Sequence, residues 1–86
     1  MSTFTDKVLK VVKEIPRGKT LSYKEVAILA GNEKASRVVG TIMSKNWDES
    51  IPCHRVICSD GTLGGYNRGT EKKRLRLEEE GAIERK

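Results

Sequence analysis

Aromatic residues are scarce in this chain: one Trp, one Phe and two Tyr among 86 residues. With 36% apolar residues overall, that excludes a large core. One small domain is expected over residues 1–86, held by close helix packing or completed by a partner. Cysteine is equally scarce. Cys53 and Cys58 cannot make a disulfide scaffold, and with the single histidine they offer three soft ligands where structural zinc takes four. No metal and no cofactor are therefore expected. Long apolar runs are missing too. The longest, Val26-Ala27-Ile28-Leu29-Ala30, is far too short to cross a bilayer, and Met1 to Lys7 hold no signal-peptide apolar stretch. The expectation is a protein without a membrane partner, cytoplasmic or, in a eukaryote, nuclear, with free thiols. Repeats, low-complexity segments and linkers are lacking as well.

What the chain does have is charge. Lys and Arg number 17 against 12 Asp and Glu, a formal net charge of +5. The excess is spread over both halves of the sequence, so a basic patch has to come from the fold. This balance suits a polyanion such as nucleic acid, and it is also common on plain solvated surfaces.

Helical periodicity opens the chain. Phe4, Val8, Val11, Val12 and Ile15 recur at helical spacing, Thr3 with Asp6 forms an N-terminal cap, and Pro16 with Gly18 stops the helix. Ser22-Tyr23-Lys24-Glu25 is a capping box that opens a short second helix, closed by Gly31. Tyr23 then falls in the first turn, near the surface. A third helix is expected from about 34 to 44, with an apolar stripe of Ala35, Val38, Val39, Ile42 and Met43. Its other face, Ser36, Arg37, Gly40, Thr41 and Ser44, is slim, hydroxylated and carries one long cation. Two short helices around a tight turn, about 22–45, predict a helix-turn-helix suited to a nucleic-acid groove. An ordinary amphipathic helix pair fits the same pattern.

The chemistry concentrates in Ile51-Pro52-Cys53-His54-Arg55-Val56-Ile57. A thiol stands beside the only histidine, and a neighbouring imidazole lowers the cost of making a nucleophilic thiolate. The partly β-branched run predicts a strand or hairpin carrying Cys53, followed by a glycine-rich loop, the two together covering 51–69. A last helix is expected over 70–80, capped by Thr70 and ended by Gly81. Lys73, Leu77 and Glu80 share one of its faces, so Glu80 points inward, unlike Glu78 and Glu79. An inward carboxylate needs a partner, and the single histidine is the candidate. The fold class expected is mainly α (α+β), a winged helix-turn-helix-like domain.

Ile51-Pro52-Cys53-His54-Arg55-Val56, Gly64-Gly65-Tyr66, Glu80-Gly81, Ser22-Tyr23 and Ala35-Ser36-Arg37-Val38-Val39-Gly40 together resemble the O6-alkylguanine-DNA alkyltransferases, over nearly the whole chain. The resemblance implies a single-domain short form that takes the alkyl group of O6-alkylguanine onto Cys53, once and irreversibly. His54 resembles the base, acting through a water, and Glu80 the carboxylate that orients it. Tyr23 resembles the phenol that hydrogen-bonds the departing guanine. The Val56 carbonyl and the Asn67 backbone N–H resemble the guanine readers, with Tyr66 in the same pocket. Arg37 resembles the arginine that replaces the flipped nucleotide, on a face with Ser36, Gly40 and Thr41 against the minor groove of double-stranded DNA. Asn46 resembles the residue that buttresses the loop before Cys53. A monomer is expected, with room for a fused or separate partner repair protein. Trp47 with its acidic neighbours, and Asn67, depart from the family pattern. The alternative function is a lesion-binding module without chemistry, but short relatives of that kind carry tryptophan in place of Cys53.

Overall fold

The computed structural model describes residues 3–83, so the outermost residues of the expected 1–86 domain lie outside the described residues. Helix α1 (Phe4–Lys13) begins at a complete capping box: Asp6 N–H donates to Thr3 Oγ1 at 3.1 Å and Thr3 N–H to Asp6 Oδ2 at 3.3 Å. These bonds satisfy two of the free N–H groups that every helix start leaves over. Val8 and Val12, one turn apart, are fully buried. Strand β1 (Leu21–Ser22) leads directly into α2 (Tyr23–Leu29), whose own capping box joins Ser22 and Glu25 in both directions at 3.0 Å. Gly31 turns the chain at φ +99° toward α3 (Ser36–Ser44). A single 3-10 turn (Cys53–Arg55) precedes β2 (Val56–Ile57), and α4 (Thr70–Glu79) closes the order.

The apolar core lies between α1, α2 and α3. Val8, Val12, Val26, Ala27, Val39 and Met43 form it with Val56, and Cys53 belongs to the same cluster. β1 and β2 pair in parallel, Leu21 opposite Val56. That pairing fixes the 3-10 turn against the helix-turn-helix of α2 and α3. The α+β class with a helix-turn-helix holds; β2 takes its partner from β1, just before α2, rather than from a hairpin neighbour.

Several local expectations are corrected. Cys53 and His54 sit on the 3-10 turn and not on an extended strand. Pro52 has no N–H for a ladder, and the chain curls instead, with Cys53 N–H on Ile51 O (2.8 Å) and Arg55 N–H on Pro52 O (2.9 Å). The third helix starts at Ser36 without a side-chain cap, later than expected. Val38 is 48% exposed and lies off the apolar stripe. Thr70 is the first residue of α4 and does not cap it; the cap position is Gly69, at φ +100°, where an L side chain is strained. Glu78 is no exposed neighbour, since its side chain is 5% exposed and pairs with Arg74 at 2.7 Å.

Candidate active site

Cys53 is 4% exposed and lies against a cavity of about 410 Å³. Tyr23 from α2, Gly40, Met43 and Ser44 from α3, Cys58, and Gly64 to Asn67 from the glycine-rich loop complete the lining. Gly40 has open space where a side chain would stand, so something outside the chain can approach it closely. Gly64 is different: at φ +72°, a side chain there would meet Cys58 Sγ at 3.0 Å and the Tyr23 ring at 3.3 Å. A shallower groove of about 440 Å³ shares Tyr23, Gly40 and Cys58 with this cavity and runs out past Ser36, Arg37, Lys24 and Ser59. The structure thus brings Ser36, Arg37 and Gly40 to the mouth of the Cys53 cavity. Thr41 stays apart, its hydroxyl donating to Arg37 O at 3.2 Å and its side facing Thr5, Leu9 and Lys45.

His54, next on the turn, faces away from the cavity toward the end of α4. Three residues per turn set neighbouring side chains about 120° apart, so Cys53 can face one wall and His54 another. His54 Nε2 lies 2.9 Å from Glu80 Oε2. Arg55 closes the same carboxylate from the side, Nε on Oε1 at 2.9 Å and Nη2 on Oε2 at 2.8 Å, while its Nη1 donates to Ile15 O at 2.8 Å. This fork and the His54 contact hold the Glu80 carboxyl ionised, its pKa pulled down to about 2. An ionised Glu80 can only accept, so His54 Nε2 carries the proton and Nδ1 is the free acceptor. Burial, opposed by Glu80 and reinforced by the Arg55 and Arg76 charges, pushes the His54 pKa down. The imidazole is therefore neutral at physiological pH and able to take a proton.

Lys73 shares the inward face of α4 with Leu77. It is fully buried, and its ammonium donates to Val56 O at 2.6 Å and to Gly65 O at 3.2 Å. Its Nζ also lies 5.6 Å from the centre of the Tyr23 ring. Burial pulls its pKa down to about 8, with Cys58 and Cys53 opposing. A lysine on the core face of an otherwise polar helix was the available signal. The Val56 carbonyl thus already holds one donor and keeps one lone pair for a ligand. Burial raises the Tyr23 phenol, helped by Cys58 and Cys53, so it remains a proton donor. Tyr23 Oη reaches Gly65 O at 3.5 Å.

The cavity wall at Tyr66 and Asn67 is tied across to the end of α3. Asn67 Nδ2 donates to Asn46 O at 2.5 Å and to Ser44 O at 3.3 Å. Asn67 Oδ1 is buried without a partner. Asn46 holds its own loop, Nδ2 to Ile51 O at 3.4 Å and Oδ1 from Asp48 N–H at 3.2 Å. Arg68 adds a second tie: it donates to Trp47 O at 2.9 Å, stacks 5.0 Å over the Trp47 ring, pairs with Glu49 at 3.2 Å and reaches Tyr66 Oη at 3.3 Å. Trp47 is 61% exposed and lies outside the cavity lining. Among the described residues, no group of His, Cys, Asp and Glu is arranged to hold a metal ion, and no helix is long and apolar enough to cross a membrane.

Residues 3–82 match the family model described as "6-O-methylguanine DNA methyltransferase, DNA binding domain". A methylated-DNA–protein-cysteine methyltransferase of Methanothermobacter thermautotrophicus is 49% identical over 75 residues, covering 87% of this chain and 42% of that protein. Among solved structures, Mycobacterium tuberculosis OGT in complex with DNA superposes with a TM-score of 0.86 at 41% identity, over 93% of this chain and 49% of that one. S. pombe Atl1 in complex with damaged DNA containing O6-carboxymethylguanine gives 0.84 at 40% identity, over 94% of this chain and 80% of that one. The chain spans less than half the length of the curated relatives it matches. Its match over nearly every residue makes it a member of the 6-O-methylguanine DNA methyltransferase DNA-binding-domain family.

Proposed function

We propose that this chain repairs double-stranded DNA by moving an alkyl group from guanine O6 to Cys53, once per molecule. One observation carries the reading: a thiol against a cavity, on the same turn as a neutral imidazole held by an ionised carboxylate. His54 Nδ1 takes the thiol proton, through a water, and the resulting sulfur anion attacks the alkyl carbon. A carbon–sulfur bond forms and the carbon–O6 bond breaks, its electron pair staying on the guanine. The base becomes ordinary guanine by taking up one proton, for which the Tyr23 phenol is the donor, and the proton on His54 restores the phenol through solvent. The thioether has no path back, so turnover stops there.

An O6 group inside a duplex cannot reach a buried thiol, so the nucleotide has to leave the stack. Arg37, exposed at the cavity mouth, fills the gap from the minor-groove side, with Ser36 and Gly40 beside it and Thr41 on the flank. The guanine edge meets the Val56 carbonyl, the Asn67 N–H and Tyr66. Asn46 keeps the wall in place through its bonds to its own loop and to Asn67. The chain acts as a monomer, where the DNA is, in cytoplasm or nucleus.

The Atl1 complex with damaged DNA keeps a second reading in view, a module that binds the lesion without chemistry. The Cys53 thiol favours transfer. Intact-mass and peptide mass spectrometry after incubation with O6-methylguanine duplex separates the two. Transfer gives one methyl on Cys53 per guanine repaired and none on Cys58. An unmodified protein that still binds the duplex selects the second reading.

A further inference from the structure

Glu80 Oε2 is shared. The same oxygen takes His54 Nε2 at 2.9 Å and Arg55 Nη2 at 2.8 Å, and Oε1 takes Arg55 Nε at 2.9 Å. The three side chains are 6%, 15% and 9% exposed, for His54, Arg55 and Glu80. The carboxylate that orients the imidazole is thus already neutralised by a permanent cation. From this sharing we infer that Arg55 is a positioning residue for the transfer reaction: it fixes Glu80 and keeps that carboxylate from drawing a proton onto His54.

Two terms of the geometry support this. First, Arg55 anchors the end of α4 to the end of α1 through Ile15 O, 40 residues away in sequence, so Glu80 is held from a second element. The backbone of the intervening turn packs there as well: a side chain on Gly18 would stand 3.1 Å from Glu80 O. Second, a lone buried carboxylate at 2.9 Å would stabilise an imidazolium and leave His54 occupied before the thiol needs it. With Arg55 in place the carboxylate orients Nε2–H and offers little net charge. The other groups facing His54 do not replace this effect. Arg76 on α4 acts in the same sense from farther away, Arg17 on the α1–β1 turn is bonded to Glu79 O, and the Tyr66 ring meets the imidazole edge-on at 6.5 Å. Cys53 is the neighbour on the same turn. The downward shift of His54 agrees in direction.

The inference rests on the alkyl-transfer reading, but its decisive test does not. The chain has one histidine, so proton NMR of the untagged protein follows His54 without assignment. Arg55→Gln removes the charge and should raise the His54 midpoint by about one pH unit, a tenfold change in protonation. Arg55→Lys keeps the charge without the fork and should return the midpoint to the wild-type value. In single-turnover transfer, the ratio of the rate at pH 8 to that at pH 6 should rise in Arg55→Gln, by less than the full tenfold because the wild-type midpoint lies below 6.5, and fall back in Arg55→Lys. A lost cross-link alone would lower stability and slow transfer equally at both pH values. A midpoint that stays put in Arg55→Gln, or that moves as far in Arg55→Lys, overturns the inference. Should Arg55→Gln not fold, the Arg55→Lys midpoint decides. A wild type that transfers nothing would sink the transfer reading, and the titration would still judge Arg55.

Discussion

The helices before residue 45 and the segments after it are held by different means. α1 and α2 each begin at a complete capping box, and their buried residues are valine and alanine. α4 has no side-chain cap, and what it buries includes Lys73 and most of Glu78 and Glu80. Its neighbours are tied to it, or across the cavity, by Arg55, Asn67 and Arg68. Apolar packing is tolerant of small shifts, whereas hydrogen-bonded charges hold distance and angle. The site lies on the seam: Cys53 belongs to the apolar cluster and His54 to the polar network. The lesson is a division of labour, stability from the first part and geometry from the second.

The largest effect should come from Cys53→Ser. It should abolish methyl transfer altogether while leaving duplex binding near wild type, because the binding face is α3 and the surrounding backbone. A serine hydroxyl is far less acidic than a thiol and forms hardly any anion. Mass spectrometry and a gel-shift titration read the two properties separately. Loss of binding equal to the loss of transfer would place Cys53 in the binding surface instead.

Glu80→Gln strikes the polar network. It should slow single-turnover transfer by about 10²–10⁴-fold, the usual worth of general-base assistance, while the protein still binds duplex. Glu79→Gln is the control, since Glu79 is exposed and offers only its backbone carbonyl, to Arg17. Glu78 is unsuitable because its side chain is buried against Arg74. Equal slowing by the Glu79 and Glu80 changes would break the comparison at its polar end.

The same network predicts how stability follows pH. The folded Glu80 pKa, about 2, lies below its ordinary 4.5, so the stabilisation is complete above about 4.5 and lost as pH falls through about 2. Over 2.5 units that is about 3 kcal/mol. The urea stability difference between wild type and Glu80→Gln should shrink toward zero from pH 6 to pH 2. Lys73 has the same sign in a higher window: held at about 8 against an ordinary 10.5, its burial costs the folded chain stability below about 8, and that cost is relieved as pH rises from 8 to 10.5. A pH-independent difference would mean that Glu80 acts by shape rather than charge.

How much of this was legible in the sequence divides along the same line. The α1 cap, the Ser22–Glu25 box and the inward direction of Glu80 follow from residues three to seven apart, which periodicity can see. The 3-10 turn at Cys53 was signalled by Pro52, but the flanking isoleucines and valine pulled the expectation toward a strand. Arg55 on Ile15 O, Lys73 on Val56 O and Asn67 on Asn46 O join residues 17 to 40 apart. No local pattern encodes such pairings, because each depends on where the parallel β1–β2 pair sets the turn. Lys73 shares its helix face with Leu77, but the two carbonyls that satisfy its buried ammonium, Val56 O and Gly65 O, lie outside the helix and outside any local pattern.

In the apolar part, Val12→Ala should cost about 2 kcal/mol, two methyl groups' worth of transfer energy plus the cavity left. Val12 is fully buried in the apolar cluster, and its side chain has no polar group to join the network around Glu80. Urea unfolding should show the loss, while the His54 titration midpoint stays where it is. A moved midpoint would show that the two parts are coupled through the core.

The smallest effect, and the sharpest on the seam, is expected from Ser22→Ala. Ser22 Oγ accepts the Glu25 N–H at 3.0 Å, and its own N–H goes to Glu25 Oε1 at 3.0 Å. Removing the hydroxyl leaves one N–H of the first turn of α2 without its partner, a change worth about 1 kcal/mol at a helix start. Ser22 is also the last residue of β1, opposite Ile57 in β2, and Tyr23 of the cavity wall follows it directly. If stability alone depends on the cap, urea unfolding shifts by that amount and transfer to Cys53 keeps its rate. If the cap also aims Tyr23, transfer from duplex slows more than the stability loss accounts for, since the folded fraction stays near complete after so small a change. An unchanged rate with a loss of about 1 kcal/mol confirms that α2 belongs wholly to the apolar part; a slowed rate moves the seam one residue into the helix.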